Sequence, residues 1–354
     1  MTPFRIAFVG VDHPHGAGWR DSLQQLGAEA EITALVPRFG GATASLEERL
    51  ALVPRFASVE NAVSKGSFDG AIVCLPNDEA PDACVKLAQA GKHIVLEKPG
   101  AGSAAEAERI VSAVRAAGVA FQSGYMWRYD AGANRLRDMV RDRRFGKLIS
   151  VEMSFVTSDV RRRGPDHYLF DPAISSGGFF NWLACHFLDL LLYVTGESVV
   201  GVTSRVGMFG ATSAAVEDGG VAILDLAGGG IATFLGGYWL PRWTGESHWT
   251  LRGCERWVRW DPSRKGTGGV IETHGPQPQF YAMNESFSLP EDTTPGYGGA
   301  RNVELLRDWI HSARDRKHEC RNTPESLLAT LRIIDAIYHA SREGRRIECR
   351  IDSV

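Results

Sequence analysis

The first third of the chain alternates short, nearly uninterrupted apolar runs with segments of helical periodicity, and this alternation restricts the possible folds more than any other feature. Residues 4–9, 32–36, 68–75, 93–96 and 120–123 read as strands. Residues 17–26, 80–90 and 104–117 read as helices, the last two stopped by Gly91 and Gly118. Strands that are apolar on both faces belong in a parallel sheet covered by helices on each side. Right-handed crossovers then make a doubly wound domain, whose ligands bind beyond the carboxyl ends of the strands.

After Gly124 the pattern changes. A helix over 131–143 leads into alternating residues at 148–156, and the runs 199–208, 221–226, 231–238 and 248–251 are strand-like and joined by Gly-rich turns. This predicts a large open, mainly antiparallel sheet with one face covered. Helices over 302–314 and 324–341 close the chain, with Val303, Leu306, Ile310, Leu327, Leu331, Ile334 and Ile337 at helical spacing. The predicted division is therefore an α/β protein of two domains, 1–124 and 125–354.

Composition excludes more than it selects. A formal net charge of -3 gives no electrostatic case for nucleic acid or an anionic membrane. The basic runs at 141–147 and at Arg161, Arg162 and Arg163 are diluted by Asp142 and Asp159 and read as solvated helix end and loop. No stretch approaches the roughly 18 apolar residues that span a bilayer, and the N-terminus runs straight into a strand rather than a signal peptide. The six cysteines show no CxxC pair, which fits reduced thiols in a cytoplasmic setting better than a disulfide frame or zinc site.

The first strand ends in Gly10-Val11-Asp12-His13-Pro14-His15-Gly16. A dinucleotide fingerprint places glycines at the first, third and sixth positions of such a turn. Gly10 supplies the first, Asp12 and His15 occupy the others, and Gly16 comes one place late. A carboxylate at the third position repels pyrophosphate unless it turns outward or caps the following helix. His13 and His15 also invite a metal reading, but the later strand ends, Leu75-Pro76-Asn77 and Glu97-Lys98-Pro99, offer no further histidine, so no metal is expected. The end of the second strand, Val36-Pro37-Arg38, lacks the carboxylate that binds a ribose 2′-hydroxyl and carries an Arg suited to a 2′-phosphate. On that ground the expected cofactor is NADP(H), with NAD(H) the alternative.

A Lys at a strand's carboxyl end between Glu and Pro is unusual. Taken with the strand-one glycine turn, Leu75-Pro76-Asn77, Asp171-Pro172, Ser176-Gly177-Gly178, His186 to Asp189 and the closing Ala340-Ser341-Arg342-Glu343-Gly344, Glu97-Lys98-Pro99 resembles the glucose–fructose oxidoreductase / inositol dehydrogenase (Gfo/Idh/MocA) family along essentially the whole chain. The resemblance implies a Rossmann domain followed by an α/β domain with a large open sheet. It also implies hydride transfer between a nicotinamide and a hydroxyl- or carbonyl-bearing carbon of a sugar or cyclitol. Lys98 would then lie beside the nicotinamide and polarise the reacting oxygen. Glu97 would position that region and contact the cofactor ribose, and Pro99 would fix the lysine backbone, the X-Pro bond being where a cis form costs least.

The sequence departs from the family pattern at one telling position. Dehydrogenases of the family usually carry Asp four residues before His186; here that residue is Trp182, with Asn181 beside it. His186 remains the expected acid/base partner of Lys98, Asp189 is expected to be structural, and Trp182 is either a stacking surface for substrate or packing. Arg128, Tyr125 and Trp127 follow the last Rossmann strand, and His167 and Tyr168 lie in the 165–172 loop; of these, Arg128 and Tyr168 are the expected substrate contacts. Trp239, Trp243 and Trp249 read as sheet-face or subunit-interface packing. The expectation is an NAD(P)-dependent oxidoreductase acting on a sugar-like alcohol or ketone, forming a homodimer or homotetramer through its open sheet. Two alternatives stand beside it: a non-catalytic nucleotide- or sugar-binding sensor of the same fold, suggested by Asp12 and Trp182, and a glycoside hydrolase that retains its cofactor.

Overall fold

The computed structural model describes residues 2–13, 15–40, 50–158, 167–210, 214–241, 245–262, 269–275, 283–289 and 291–353. Pro14, Asp159, Arg161, Arg162, Arg163, Pro165 and Trp243 fall outside the described residues. The chain forms two compact units, Met1–Tyr129 with Thr293–Leu328, and Asp130–Asp292 with Ala329–Val354.

The first unit holds a parallel sheet of β1 (Phe4–Val9), β2 (Ala30–Val36), β3 (Gly70–Val73), β4 (His93–Leu96) and β5 (Phe121–Ser123), in the order β2-β1-β3-β4-β5. A parallel bridge from Leu35 to Arg55 adds a position outside β2. The order reverses between β1 and β3, the switch point where doubly wound sheets bind their ligands. Helices α1 (Gly16–Gln24), α2 (Val59–Lys65), α3 (Ala80–Gln89) and α4 (Ala104–Ala117) provide the crossovers. The strand expected over 68–75 shortens to four residues because Asp69 is drawn off to bind Arg5 and its backbone amide. Helix α2 was not anticipated; Ser58 caps it by accepting from Asn61 N.

The second unit begins with α5 (Ala131–Arg141), capped by Asp130 through the amides of Gly132 and Ala133. Arg141, Arg143 and Lys147 are exposed, as a solvated helix end requires. A sheet follows, made of β6 (Leu148–Thr157), β7 (Val199–Gly207), β8 (Gly219–Leu226), β9 (Ile231–Gly237), β10 (Gly245–Gly253), β11 (Trp257–Asp261), β12 (Val270–Gly275), β13 (Met283–Ser288) and β14 (Ile347–Ile351). Its order is β13-β12-β11-β10-β6-β9-β8-β7-β14, antiparallel throughout except for the β6–β9 pair. The last three strands before residue 290, and β14, were missed in the sequence because Arg, Gly and Glu interrupt their apolar alternation.

Between β6 and β7 lie the short α6 (Pro172–Ser175), a π-helical turn (Phe180–Ala184) and α7 (Cys185–Thr195). Every residue of α7 is buried. Phe187 on this helix stacks with Phe155 and Trp249 from the sheet, and Trp249 in turn meets Trp260. Burying a Phe side chain such as Phe187 contributes roughly 1.5–3 kcal/mol by leaving water. The run Pro172–Thr195 is, by length and composition, apolar enough to cross a membrane, contrary to the expectation that no such stretch exists; with 89% of its most apolar window inside the fold, it serves as a core helix.

The chain then contributes α8 (Ala300–Arg314) to the first unit, followed by α9 (Pro324–Glu343). The division predicted at residue 124 missed this return. Its cause is packing: Val303, Leu306, Trp309 and Ile310 join Phe4, Phe8, Ile72 and Val95 in one core. Trp309 meets Phe4 edge to face at 5.1 Å and leaves no room for a side chain at Gly70, where a Cβ would lie 2.6 Å from the indole.

Candidate active site

Gly10 closes β1 with φ +72, and a Cβ there would lie 2.0 Å from the Cys74 carbonyl oxygen at the end of β3. A Cβ on Gly16, at the start of α1, would lie 2.3 Å from the Val11 carbonyl oxygen. Glycine at both positions lets the strand turn directly into a helix N-terminus, the geometry that receives a pyrophosphate. The turn therefore fits a dinucleotide despite its incomplete fingerprint.

Asp12 does not cap α1. Its carboxylate turns to the segment after β2 and accepts from Arg38 N at 2.7 Å, Phe39 N at 2.6 Å and Gly40 N at 2.8 Å. Arg38 is not free for a 2′-phosphate either. Its Nε donates to both oxygens of Glu79, at 2.9 and 2.8 Å, and a second nitrogen of the fork also binds Glu79. Hydrogen bonding to Glu79, then its charge, raises the Arg38 pKa. The carboxylate absent from the end of β2 is thus supplied by the turn after Leu75-Pro76-Asn77, which sequence reasoning could not see. Burial and the charge of Glu79 also push the neighbouring Asp78 carboxyl up. Asn77 is buried, and Leu75 lines a cleft of about 300 Å³ with Val9, Val36, Arg38 and Glu79.

The two histidines organise the loop. His13 is buried, accepts from His15 N at 3.0 Å and meets Phe39 edge to face. His15 stacks on Tyr297 with ring centroids 4.4 Å apart, and its Nδ1 lies 3.3 Å from Glu97 Oε1. Trp19 Nε1 donates to the other Glu97 oxygen. Glu97 is 3% exposed, and its two oxygens meet His15 and Trp19. Burial alone would raise its pKa, but the His15 hydrogen bond and the charges of His15, Lys98 and His13 hold it below 4.5. Lys98 follows at 2% exposure, and the Lys98–Pro99 bond is cis. Arg128 is 1% exposed and its guanidinium donates to the Arg321 carbonyl, while Arg321 returns a bond to the Arg128 carbonyl. Arg128 is thus buried in the first unit with its guanidinium tied to the returning segment, and Tyr125, three residues before it, is fully buried.

In the second unit His186 is 6% exposed and Trp182 likewise 6%. The π-helical turn carries Trp182, and α7 carries His186. Asp189 is fully buried and accepts from Thr330 on α9, in keeping with a structural role. Tyr168 is half-buried in a 3-10 turn and packs on His167 at 4.7 Å. Trp249 lies in the core, and Trp239 donates to Asp218.

Sequence reading missed the anchor of this segment. Glu217 accepts from Gly178 N at 2.5 Å, Phe180 N at 3.0 Å and Tyr338 Oη at 2.7 Å. A Cβ on Gly177 would lie 2.3 Å from Tyr338 Oη, and one on Gly178 2.1 Å from the Glu217 carbonyl oxygen, so the Ser176-Gly177-Gly178 motif is shaped by these partners. Burial raises the Glu217 carboxyl, outweighing the bonds from Tyr338 and the two amides, and pushes the Tyr338 hydroxyl well up. The one signal in the sequence was the acidic pair Glu217-Asp218 directly before a Gly-rich strand.

A parallel sheet with a glycine turn at its switch point, followed by a large open sheet, defines a dinucleotide-binding two-unit protein. Residues 4–125 match the family model "Oxidoreductase family, NAD-binding Rossmann fold", and residues 133–258 match the "GFO/IDH/MocA C-terminal domain". The chain belongs to the Gfo/Idh/MocA family. It is 26% identical over 181 residues to inositol 2-dehydrogenase of Rhizobium meliloti (strain 1021), across 51% of this chain and 52% of that protein. The chain thus spans about half the length of that relative. D-xylose 1-dehydrogenase (NADP(+)) 2 of Haloferax volcanii is 23% identical across 91% of this chain and 93% of its own. In fold, the chain matches levoglucosan dehydrogenase, solved with NADH and L-sorbose, at a TM-score of 0.87, 14% identity and full coverage of both chains.

Proposed function

We propose that this protein is a nicotinamide-dependent oxidoreductase acting on a sugar- or cyclitol-like alcohol or ketone. The observation that carries this reading is buried Lys98, placed at the carboxyl end of β4 beside an ionised Glu97 and next to the switch point of the parallel sheet. Names of relatives, inositol 2-dehydrogenase and D-xylose 1-dehydrogenase among them, support the substrate class.

When bound, the nicotinamide supplies or accepts the hydride. The turn at Gly10 and the amino end of α1 hold its pyrophosphate. Lys98 places a cation at the oxygen of the reacting carbon, where it stabilises developing negative charge and exchanges a proton. Glu97, whose carboxyl is held below its ordinary value chiefly by His15, adjoins Lys98 in the chain. In the second unit His186 is a further candidate acid/base group, and Trp182 presents an apolar side chain where the family resemblance leads one to expect a carboxylate. The chain acts in the cytoplasm as a homodimer or homotetramer. The six cysteines form no disulfide with one another, which supports the first of these, and the exposed Val221, Ile223, Ile231 and Leu235 on β8 and β9 support the second.

Titration with NADH and NADPH, followed by tryptophan quenching, tests the cofactor; a sugar and cyclitol turnover screen tests the chemistry. Lys98→Ala is expected to lower kcat about 10²- to 10⁴-fold with the cofactor Kd little changed. Dinucleotide binding without turnover of any polyol or sugar would favour the second reading, a non-catalytic sensor, for which the loss of the carboxylate at Trp182 speaks.

A further inference from the structure

Beyond the β2 end, the protein presents two features that together would make a receptor for a phosphate. One is a run of three consecutive amides, from Arg38, Phe39 and Gly40, turned toward a single point, with Gly40 at φ +66. Such a nest is a common anion site. The other is the Arg38 guanidinium, whose planar fork matches a phosphate. This is the position at which doubly wound domains recognise the adenosine ribose and discriminate a 2′-hydroxyl from a 2′-phosphate. In this chain both features already hold carboxylates: Asp12 fills the nest, and Glu79 fills the fork.

We propose that Asp12 and Glu79 make the protein selective for NAD(H) over NADP(H) by occupying, from within the chain, the receptor that a 2′-phosphate needs. The proposal rests on the oxidoreductase reading above and deepens it. It also reverses what Arg38 alone suggests, because an Arg whose fork is bound by a neighbouring carboxylate no longer presents net positive charge.

The surroundings reinforce the exclusion. Another cation of the cleft, Lys86, is bound to Glu60, and Asp82 is bound to Arg109. Asp78 adds another carboxylate to the same wall. An exposed ion pair such as Arg38–Glu79 is weak in isolation, so phosphate could displace Glu79 from the fork. Doing so would leave Glu79 and Asp78 facing a group of about two negative charges, with the nest still closed by Asp12. A 2′-hydroxyl meets no such penalty, since carboxylates accept from hydroxyls.

The test is direct binding of NADH and NADPH to the full-length protein by calorimetry, with thermal unfolding of each variant as the check on folding. The wild type is expected to bind NADH at least about tenfold more tightly. Glu79→Gln frees the fork without changing its size; it is expected to tighten NADPH about tenfold while NADH moves less than about twofold. Adding Arg38→Ala to Glu79→Gln should cancel that gain. Asp12→Asn, which weakens the nest's internal anion, should narrow the ratio independently. Equal or tighter NADPH binding by the wild type overturns the proposal, as does an unchanged ratio in Glu79→Gln when both dinucleotides still bind. Failure of both dinucleotides to bind wild type and variant alike instead overturns the oxidoreductase reading beneath it.

Discussion

Each unit encloses one carboxylate that fastens a functional segment, and the two are displaced in opposite directions. Glu97 is held below its ordinary range and Glu217 above it, although burial pushes both upward. The difference lies in the partners. Glu97 faces His15 and adjoins Lys98, so nearby positive charge offsets its lost hydration. Among the described residues, the donors to Glu217 are neutral: two backbone amides and the Tyr338 hydroxyl. Neutral hydrogen bonds satisfy a carboxylate's geometry without neutralising its charge. One carboxylate therefore tunes the chemistry of its neighbourhood, while the other is a mechanical anchor.

The largest effect should come from Glu97→Gln, which removes the ionised acceptor from Trp19 and His15. Chemical denaturation at pH 7 should show a loss of about 1.5–3 kcal/mol. Because the folded pKa of Glu97 is lowered, its contribution is present above the ordinary value of 4.5 and disappears as pH falls through the lower folded value. The difference between wild type and variant should accordingly shrink as denaturation is repeated at progressively lower pH. A constant difference would mean that shape, not charge, holds this site.

Next in size, Tyr338→Phe should cost about 1 kcal/mol by removing one donor from an enclosed carboxylate. Glu217→Gln should stay within about 1 kcal/mol of wild type at pH 7, since the relief of a buried charge opposes the lost acceptor at Gly178 N. Its pH dependence carries the sharper information. A carboxyl whose folded pKa is raised weakens the fold as pH climbs from 4.5 toward the folded value, so this variant should gain on wild type over that interval. The same denaturation series, run on both glutamines, would show slopes of opposite sign. Parallel slopes would erase the distinction between the two carboxylates.

Local pattern made much of the first unit legible. Residues 93–96 and 104–117 match β4 and α4 to the residue, because apolar runs ending in glycine or a capping serine are short-range signals. Lys98 and His186 were readable as candidates from their motifs. What stayed hidden were pairings between distant segments. Glu79 lies far along the chain from Arg38, Glu217 from Gly178, and Tyr297 from His15. In each case the sequence shows an ordinary polar or aromatic residue, and only the topology supplies its partner. Arg128 likewise finds a partner, the Arg321 carbonyl, in the returning segment.

That return of residues 293–328 to the first unit has a consequence for how the protein is made. Synthesis runs from the N-terminus, so the parallel sheet leaves the ribosome long before α8 exists. Until Trp309 reaches Gly70 and Phe4, an apolar sheet face stays uncovered while the whole of residues 130–292 is still being translated. Domains assembled from such distant pieces close slowly and expose aggregation-prone surface meanwhile. A C-terminal truncation that removes α8 is therefore expected to leave a nucleotide domain that aggregates or unfolds more readily than the full chain, which thermal unfolding and light scattering would check.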